Sequence, residues 1–242
     1  MSPEQGRVRI GTAGYQYDHW VGPFYPADIP KSRWFDYYAQ RFAALEVNGT
    51  FYSLPKPETV ARWRQAAPEG FIYALKFSRY GTHIKRLKDP PASLERFAEV
   101  VEALGETCGP ILLQLPPRWR PNPERLDDFL RQAPEGWRWA VEVRDERWLR
   151  EEVYAVLRSH NAALCWHDML PEHPVVPTAS WSYRRFHGDH YAGGYSEGWL
   201  AEQALAIGCE LASGRDVFAF FNNDLDGHAP NDALALLRRL QS

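Results

Sequence analysis

The sequence predicts an α/β fold, a single TIM-type (β/α)8 barrel, and three observations support this class. Short apolar segments of strand length alternate with amphipathic segments of helix length along the chain, as expected for a parallel sheet. Eight strand segments fit within 242 residues, close to the roughly 250 residues typical of this barrel. After the first strand, GTAGYQY only weakly resembles the GxGxxG turn that a doubly wound sheet would need. We therefore predict one domain over residues 1–242, with the barrel proper at about 8–240.

The first half of the chain supplies four predicted strands, at 8–13, 44–51, 71–78 and 110–116. Helices are predicted at 32–42, 57–67, 92–106 and 123–133. Ser32 is the predicted N-cap of the first helix. Pro57 lies in the first turn of the second helix, where a missing N–H costs little.

The second half continues the alternation, with strands predicted within 139–148 and at 163–168, 181–188 and 216–224. Helices are predicted at 150–160, about 199–212 and 231–240. Residues 169–180 contain three prolines and no helical period, so a loop is predicted where the helix between strands 6 and 7 would lie.

One face of several predicted strands is polar, although their other face is apolar. In strand 5, Glu142 and Arg144 alternate with Val141 and Val143. The same alternation gives an inward-facing set of Glu46, Asn48, Lys76, Ser78, Gln114, Glu142, Arg144, Arg185 and His187. Burying an ion costs several kcal/mol, and the carboxyl ends of barrel strands are where this fold builds sites. We predict a functional pocket; the alternative is an internal ion-pair network that only holds the barrel together.

Basic residues are concentrated after two strands of an otherwise slightly acidic chain. From Lys76 to Lys88 there are five Lys or Arg and no acid, and Arg118 and Arg120 follow strand 4. Such a concentration of charge predicts an anionic ligand: a phosphate, a carboxylate or a nucleic-acid backbone. Aromatic residues such as Tyr15 and Trp20 follow strand 1, and rings beside cations suit stacking on bases or sugars. The alternatives are a solvated basic loop and ordinary aromatic packing.

These residues lead to a set of predicted roles. Glu142 and His187 are predicted to move protons, and Lys76 is a Schiff-base nucleophile or, by preference, a positive charge that holds the anion. The predicted substrate-binding residues are Arg144, Arg185, Glu46, Asn48, His83, Gln114, Asp168, Asn222, Asn223, Tyr15 and Trp20. No HxH or HExxH spacing predicts a metal site, and no cofactor is expected, although a divalent metal is left open.

Composition restricts the cellular context. The net charge of −3 gives no general attraction to nucleic acid or membrane. Three cysteines without a CxxC pair suit a reduced, cytoplasmic protein. No signal-peptide core and no run of transmembrane length is present. The expected partner is an anionic small molecule or a nucleic-acid fragment, and the sequence does not indicate an oligomeric state.

Several motifs taken together resemble the YecE-like family, a bacterial family catalogued as a domain of unknown function, number 72. The motifs are GTAGY, EVNGTFY, THIKRL, LQLPP, VEVR, RFHG, and FNND with GHAPND, spread over roughly residues 8–240. The resemblance implies a TIM-type barrel and no particular reaction. Asp145 and Ala13 stand where many members have His and Ser, so neither of those groups is essential here.

The leading functional hypothesis is an enzyme of hydrolase or lyase type acting on a phosphate-bearing or other anionic substrate. No nicotinamide or flavin motif supports redox chemistry, and no GxSxG or P-loop motif is present. A non-catalytic module that binds an anionic ligand is one alternative, because a fold alone does not determine a function. A metal-dependent, nuclease-like barrel is the second.

Overall fold

The structure, a computed structural model, describes residues 5–189 and 193–241. The strands are β1 Val8–Thr12, β2 Ala44–Val47, β3 Ile72–Lys76, β4 Cys108–Gln114, β5 Trp139–Glu142, β6 Ala163–His167, β7 Trp181–Phe186 and β8 Asp216–Phe221. They form one sheet in the order β1-β8-β7-β6-β5-β4-β3-β2. The predicted fold class is confirmed: the chain is an α/β TIM-type barrel.

Helices alternate with the strands. They are α1 Trp34–Ala39, α2 Gly49–Tyr52, α3 Pro57–Ala66, α4 Pro90–Leu104, α5 Pro123–Gln132, α6 Glu151–Ser159, α7 Glu197–Ala212 and α8 His228–Gln241. Proline begins α3, α4 and α5, where its fixed φ suits a first turn. Between β6 and β7 every residue is described and none is helical, so the predicted loop is confirmed.

Two local predictions were wrong. Strand β2 ends at Val47, not at residue 51, because the chain turns into the short helix α2. The Thr50 hydroxyl lies 3.0 Å from the Val47 carbonyl and donates to the Lys76 carbonyl at 2.7 Å, which fixes α2 against the end of β3. Ser32 is not an N-cap, because it lies within a 3-10 turn, Lys31–Arg33, and α1 begins only after that turn.

The described residues divide into two compact units. Unit 1 comprises the described residues up to Glu46, the segment His167–Met169 and the described residues from Trp181 onward. Unit 2 comprises Val47–Trp166 and Leu170–Ser180. In unit 1, β7, β8 and β1 pair in parallel, and in unit 2, β3 to β6 do so. The single domain over 1–242 stays a prediction.

None of the three cysteines, Cys108, Cys165 and Cys209, forms a disulfide bond. Burial raises the pKa of the Cys108 thiol to about 12, so this thiol stays protonated at neutral pH. Among the described residues, no helix combines the length and the apolar character needed to cross a membrane.

The core of unit 1 contains a hydroxyl that links α1 to two strands. Tyr38 is fully buried; its oxygen accepts from the Thr12 N–H at 2.8 Å and donates to the Ala44 carbonyl at 2.9 Å. Tyr38→Phe is expected to lower the free energy of unfolding by about 1–3 kcal/mol, because it leaves buried polar groups without this partner. Urea unfolding tests this, with Tyr37→Phe as the matched control. Equal losses in both variants would contradict this account.

Candidate functional site

Strand register brings the predicted polar residues of unit 1 onto one face. Arg185 and Gly11 both pair with Phe220, and Ala13 bridges to Glu46, so these positions share a face. The contacts agree with the alternation predicted from the sequence. Tyr183 lies two residues before Arg185 and points to the same side.

Glu46 and Arg185 form a buried ion pair. The Arg185 Nη2 donates to Glu46 Oε1 at 2.7 Å, and its Nε lies 3.1 and 3.0 Å from the two carboxylate oxygens. The Tyr183 hydroxyl donates to Oε2 at 2.6 Å, and both charged side chains are almost completely buried. This geometry does not support direct substrate binding by either residue. It fits the internal ion pair that the sequence allowed as an alternative.

Asp168 holds His187 in one orientation. The His187 backbone N–H donates to both Asp168 carboxylate oxygens at 3.0 and 3.1 Å, and His187 Nδ1 lies 3.0 Å from Oδ1. Because a carboxylate only accepts, Nδ1 carries the proton, and Nε2 accepts from Arg185 Nη1 at 3.2 Å. These bonds fix the orientation of the His187 ring, and the substrate contact of Asp168 stays a prediction.

Tyr195 completes this arrangement. Its hydroxyl donates to Asp168 Oδ2 and accepts from the Gly188 N–H at 2.6 Å. Burial alone would raise the pKa of Asp168, but the hydrogen bonds from His187 and Tyr195 outweigh burial and lower that pKa. Asp168 is therefore ionised at neutral pH.

The lowered pKa of Asp168 makes a prediction about stability. Its stabilising contribution is present above the unfolded pKa of about 3.9 and is lost as pH falls through the lower folded value. Asp168→Asn is expected to lower the free energy of unfolding by about 1.5–3 kcal/mol at neutral pH, because charge-assisted hydrogen bonds become neutral. Urea unfolding is measured at several pH values from neutral to about pH 3. The difference in the free energy of unfolding between the variant and the wild type should become smaller as the pH falls. A gap independent of pH would contradict this.

The two asparagines after β8 differ in environment. Asn222 is partly exposed, and its Oδ1 accepts a long bond of 3.5 Å from Arg185 Nη2. Asn223 is buried, and its Nδ2 donates to Asp232 of α8 at 2.8 Å and to the Gly193 carbonyl at 3.0 Å. The buried Oδ1 of Asn223 has no hydrogen-bond partner among the described residues, and substrate binding by Asn222 and Asn223 stays a prediction.

Unit 2 carries its own polar face. Lys76 pairs with Leu112, and Gln114 pairs with Glu142, so Lys76, Gln114 and Glu142 lie on one side of β3–β5, as predicted. Glu142 is fully buried and accepts a hydrogen bond from Arg144 Nε, whereas the Arg144 side chain stays partly exposed. Glu142 therefore lies buried beside a cation, and its catalytic role stays a prediction.

The basic loop after β3 builds a cluster of cations around His83. His83 lies in a short π-helical turn, Tyr80–Ile84, and its ring packs edge-on against Phe51 at 5.1 Å. Lys76 Nζ lies 4.6 Å from the centre of the same Phe51 ring. Burial lowers the pKa of His83, and the charges of Lys76, Arg79 and Arg144 lower it further. We call Lys76, Arg79, His83 and Arg144 the cation cluster.

The backbone after this turn is in an uncommon conformation. Arg86, Leu87 and Asp89 have φ of 50°, 61° and 50°, in the left-handed region that non-glycine residues rarely adopt. Leu87 is buried, and its N–H donates to the Gly81 carbonyl at 2.9 Å, which fixes the loop. Strained backbone of this kind concentrates at functional sites.

The predicted aromatic stacking residues belong to the core of unit 1. Trp20 is completely buried, and its indole N–H donates to the Asp224 carbonyl at 2.8 Å, so the structure does not support a stacking role. Tyr15 is partly exposed and packs against Phe35 and Tyr38 at 5.5 and 5.8 Å. Both residues therefore take part in aromatic packing, and a ligand contact of the partly exposed Tyr15 stays a prediction.

Asn48, predicted as a substrate ligand on β2, lies just after that strand and before α2. Its buried Oδ1 has no hydrogen-bond partner among the residues that the structure describes. A buried acceptor without a partner is unusual in folded proteins. It fits a donor, such as a hydroxyl, supplied by a ligand.

Sequence reasoning missed three polar residues. Tyr183 could have been found, because it shares the strand face of Arg185. Tyr195 and His173 lie in loops, where no periodicity marks them. His173 is buried, its Nδ1 lies 3.0 Å from the Pro174 carbonyl, and burial lowers its pKa while the charge of Glu142 raises it. The loop between β6 and β7 thus brings a histidine near Glu142.

Within residues 5–189 and 193–241, no group of three or more His, Cys, Asp or Glu side chains is arranged to hold a metal ion. The metal-dependent alternative stays a hypothesis.

Comparison with known proteins gives the same family over nearly the whole chain. The sequence model of the family described as "Protein of unknown function DUF72" matches residues 9–242. The UPF0759 protein YecE of Escherichia coli K12 is 34% identical over 108 residues. That match covers 44% of this chain and 40% of YecE, so it spans less than half the length of this curated relative.

Solved structures agree on the fold. A DUF72 family protein from Thermotoga maritima MSB8 superposes with a TM-score of 0.87 at 28% identity, covering 98% of this chain and 100% of that one. A structure of D-psicose 3-epimerase in the presence of D-fructose has a TM-score of 0.55 at 13% identity, with 96% of each chain covered. At that identity the epimerase shows the barrel fold alone.

Proposed function

The chain belongs to the DUF72 family, whose description assigns no reaction, and we propose from the geometry of unit 2 that it is an enzyme acting on an anionic substrate. The observation that carries this proposal is the cation cluster: Lys76 Nζ and the His83 ring contact the same Phe51 ring, at 4.6 and 5.1 Å, and the charges of Lys76, Arg79 and Arg144 lower the pKa of His83. Arg144 is paired with Glu142, and a bound anion would add to that compensation and offset the remaining positive charge.

The roles of individual residues follow from exposure and partners. Arg79 is exposed and Lys76 and Arg144 are partly exposed, so these three side chains are placed to bind a phosphate or carboxylate. Asn48, with its buried Oδ1, would accept from a substrate hydroxyl, and Gln114 would orient the substrate. This combination suits a substrate that carries both an anionic group and a hydroxyl, such as a sugar phosphate.

The proposed reaction class is hydrolysis or elimination. Hydrolysis and elimination are both accelerated by side chains that donate or accept a proton. In unit 2, His83 belongs to the cation cluster and His173 is affected by the charge of Glu142, so two such side chains are present there. The position of these residues at the carboxyl ends of barrel strands agrees with where TIM-barrel enzymes place their chemistry.

A thermal-shift screen tests the proposal. Purified protein is screened against phosphate, sugar phosphates, nucleotides and single-stranded DNA, each with and without EDTA. A ligand that binds the native state raises the melting temperature by mass action. We expect a selective shift that EDTA does not abolish and that Arg131→Gln, an exposed arginine on α5, retains. No shift with any anion would refute the proposal.

A non-catalytic binding module is the second candidate, favoured by the complete burial and ion pairing of Glu142. Glu142→Gln separates the two functions. For an enzyme we expect the variant to keep anion binding while turnover of a substrate from the screen falls by about 10²-fold or more, the usual contribution of acid–base groups. Unchanged turnover would favour the module. Severe unfolding with no anion binding in the wild type would mean that the ion pair is purely structural.

A further inference from the structure

The hydrogen bonds of His83 determine which ring nitrogen can take a proton. The Thr82 hydroxyl has one proton, which it donates to the Ser78 carbonyl at 2.9 Å. The same Oγ1 lies 2.9 Å from His83 Nδ1, so it accepts there and Nδ1 carries the ring proton. Nε2 of the neutral imidazole therefore holds the lone pair, which is the state that a general base requires.

The groups around His83 come from four segments. Lys76 ends β3, Arg79 precedes the π-helical turn, Arg144 follows β5, and Phe51 belongs to α2. The centre of the Phe51 ring lies 5.1 Å from the centre of the His83 ring and 4.6 Å from Lys76 Nζ. The imidazole and the ammonium group therefore contact the same aromatic ring. The charges of Lys76, Arg79 and Arg144 act on the ring and disfavour the imidazolium form, and Arg144 is also paired with the buried Glu142.

We propose that His83 Nε2 is the general base of this site and that a bound anion increases its basicity, so that the substrate's own charge activates the base. This inference rests on the proposed function, because it requires an anion among the cations of the cluster. An anion there would offset the charges of Lys76, Arg79 and Arg144, and the imidazolium would become less costly. Without a bound anion, the imidazole of His83 is a neutral but weak base.

The proton comes from a substrate hydroxyl or from a water molecule. The O–H bond breaks, an Nε2–H bond forms, and the oxygen keeps the electron pair and acts as the nucleophile of the next step. The positive charge gained by His83 is balanced by the bound anion. The substrate class is thus an anion that carries a hydroxyl or that water attacks.

Thermodynamic reciprocity gives a test that needs no known substrate. If an anion raises the pKa of His83, protonation of His83 must tighten anion binding by the same factor. Sulfate is the probe of choice, because it remains a dianion across the range in which histidine titrates. The affinity for sulfate should increase as pH falls through the pKa of His83.

The experiment is an NMR titration of the histidine ring signals, with and without sulfate, in the full chain. The His83→Gln variant assigns the signal, and calorimetry measures sulfate affinity across the same pH range. We expect sulfate to raise the pKa of His83, and the pH dependence of sulfate binding to weaken in His83→Gln. Arg131→Gln, which removes an exposed charge from α5, should behave as the wild type.

Two failures are distinguishable. If sulfate binds but leaves the pKa of His83 unchanged, the coupling is refuted while the anion site survives. If neither sulfate nor phosphate binds, the proposed function fails and this inference with it. Should His83→Gln be poorly folded, Lys76→Met gives an independent reading, because loss of that charge should raise the pKa of His83 in the empty site. An unchanged pKa there would also refute the inference.

Discussion

Arg185→Met is expected to lower the free energy of unfolding by about 3–5 kcal/mol at neutral pH, because it leaves the fully buried Glu46 carboxylate without its arginine. Glu46 would keep the hydrogen bond that it accepts from the Tyr183 hydroxyl. Urea unfolding followed by circular dichroism measures the loss. A double variant, Glu46→Gln with Arg185→Met, should recover part of it, since the uncompensated charge is removed.

The matched control is Arg147→Met, which breaks the more exposed pair with Asp145 in unit 2. Exposed ion pairs contribute about 0–1 kcal/mol, so this variant should differ little from the wild type. If Arg185→Met cost no more than Arg147→Met, the buried pair would not be the stabilising element described here.

Lys76→Met is expected to weaken phosphate binding about tenfold or more, because one charge-assisted hydrogen bond contributes about 1.5–3 kcal/mol. Methionine keeps an unbranched apolar stem against Phe51 and removes only the ammonium group. Calorimetry with inorganic phosphate gives the dissociation constants of both proteins. Stability should change far less than affinity, which separates lost binding from lost folding.

The control for this variant is Arg131→Gln, which changes the net charge by the same amount on the surface of α5. If both variants weakened phosphate binding equally, the effect would come from overall charge and not from a site. Affinity unchanged in Lys76→Met would remove Lys76 from the proposed anion site.

Much of the fold was predictable because it depends on local pattern. Strand segments, the prolines that begin α3 and α5 and the proline-rich loop before β7 all follow from short-range signals. The early end of β2 did not, because the Thr50 hydroxyl of α2 donates to the Lys76 carbonyl, a partner 26 residues away that no local pattern indicates.

The sequence could predict that the candidate residues share one face of the sheet, but it could not predict which of them contact each other. Alternation placed Glu46 and Arg185 on the inner side, but the two lie 139 residues apart, and nothing local indicates that they pair. The same limit applies to Asp168, which the sequence presented as a substrate ligand and the structure ties to His187. The basic loop after β3 was predictable from charge alone, since Lys76, Arg79 and His83 lie within eight residues of one another.

The most direct test of the central claim is to locate an anion in the protein by crystallography. Crystals soaked with tungstate, a tetrahedral anion with strong anomalous scattering, would show its position without knowledge of the substrate. We expect an anomalous peak within hydrogen-bonding distance of Lys76 Nζ and the Arg144 guanidinium, and we expect this peak to be absent from Lys76→Met crystals. Tungstate bound only elsewhere, or a peak unchanged in Lys76→Met, would contradict the claim that the cation cluster is an anion-binding site.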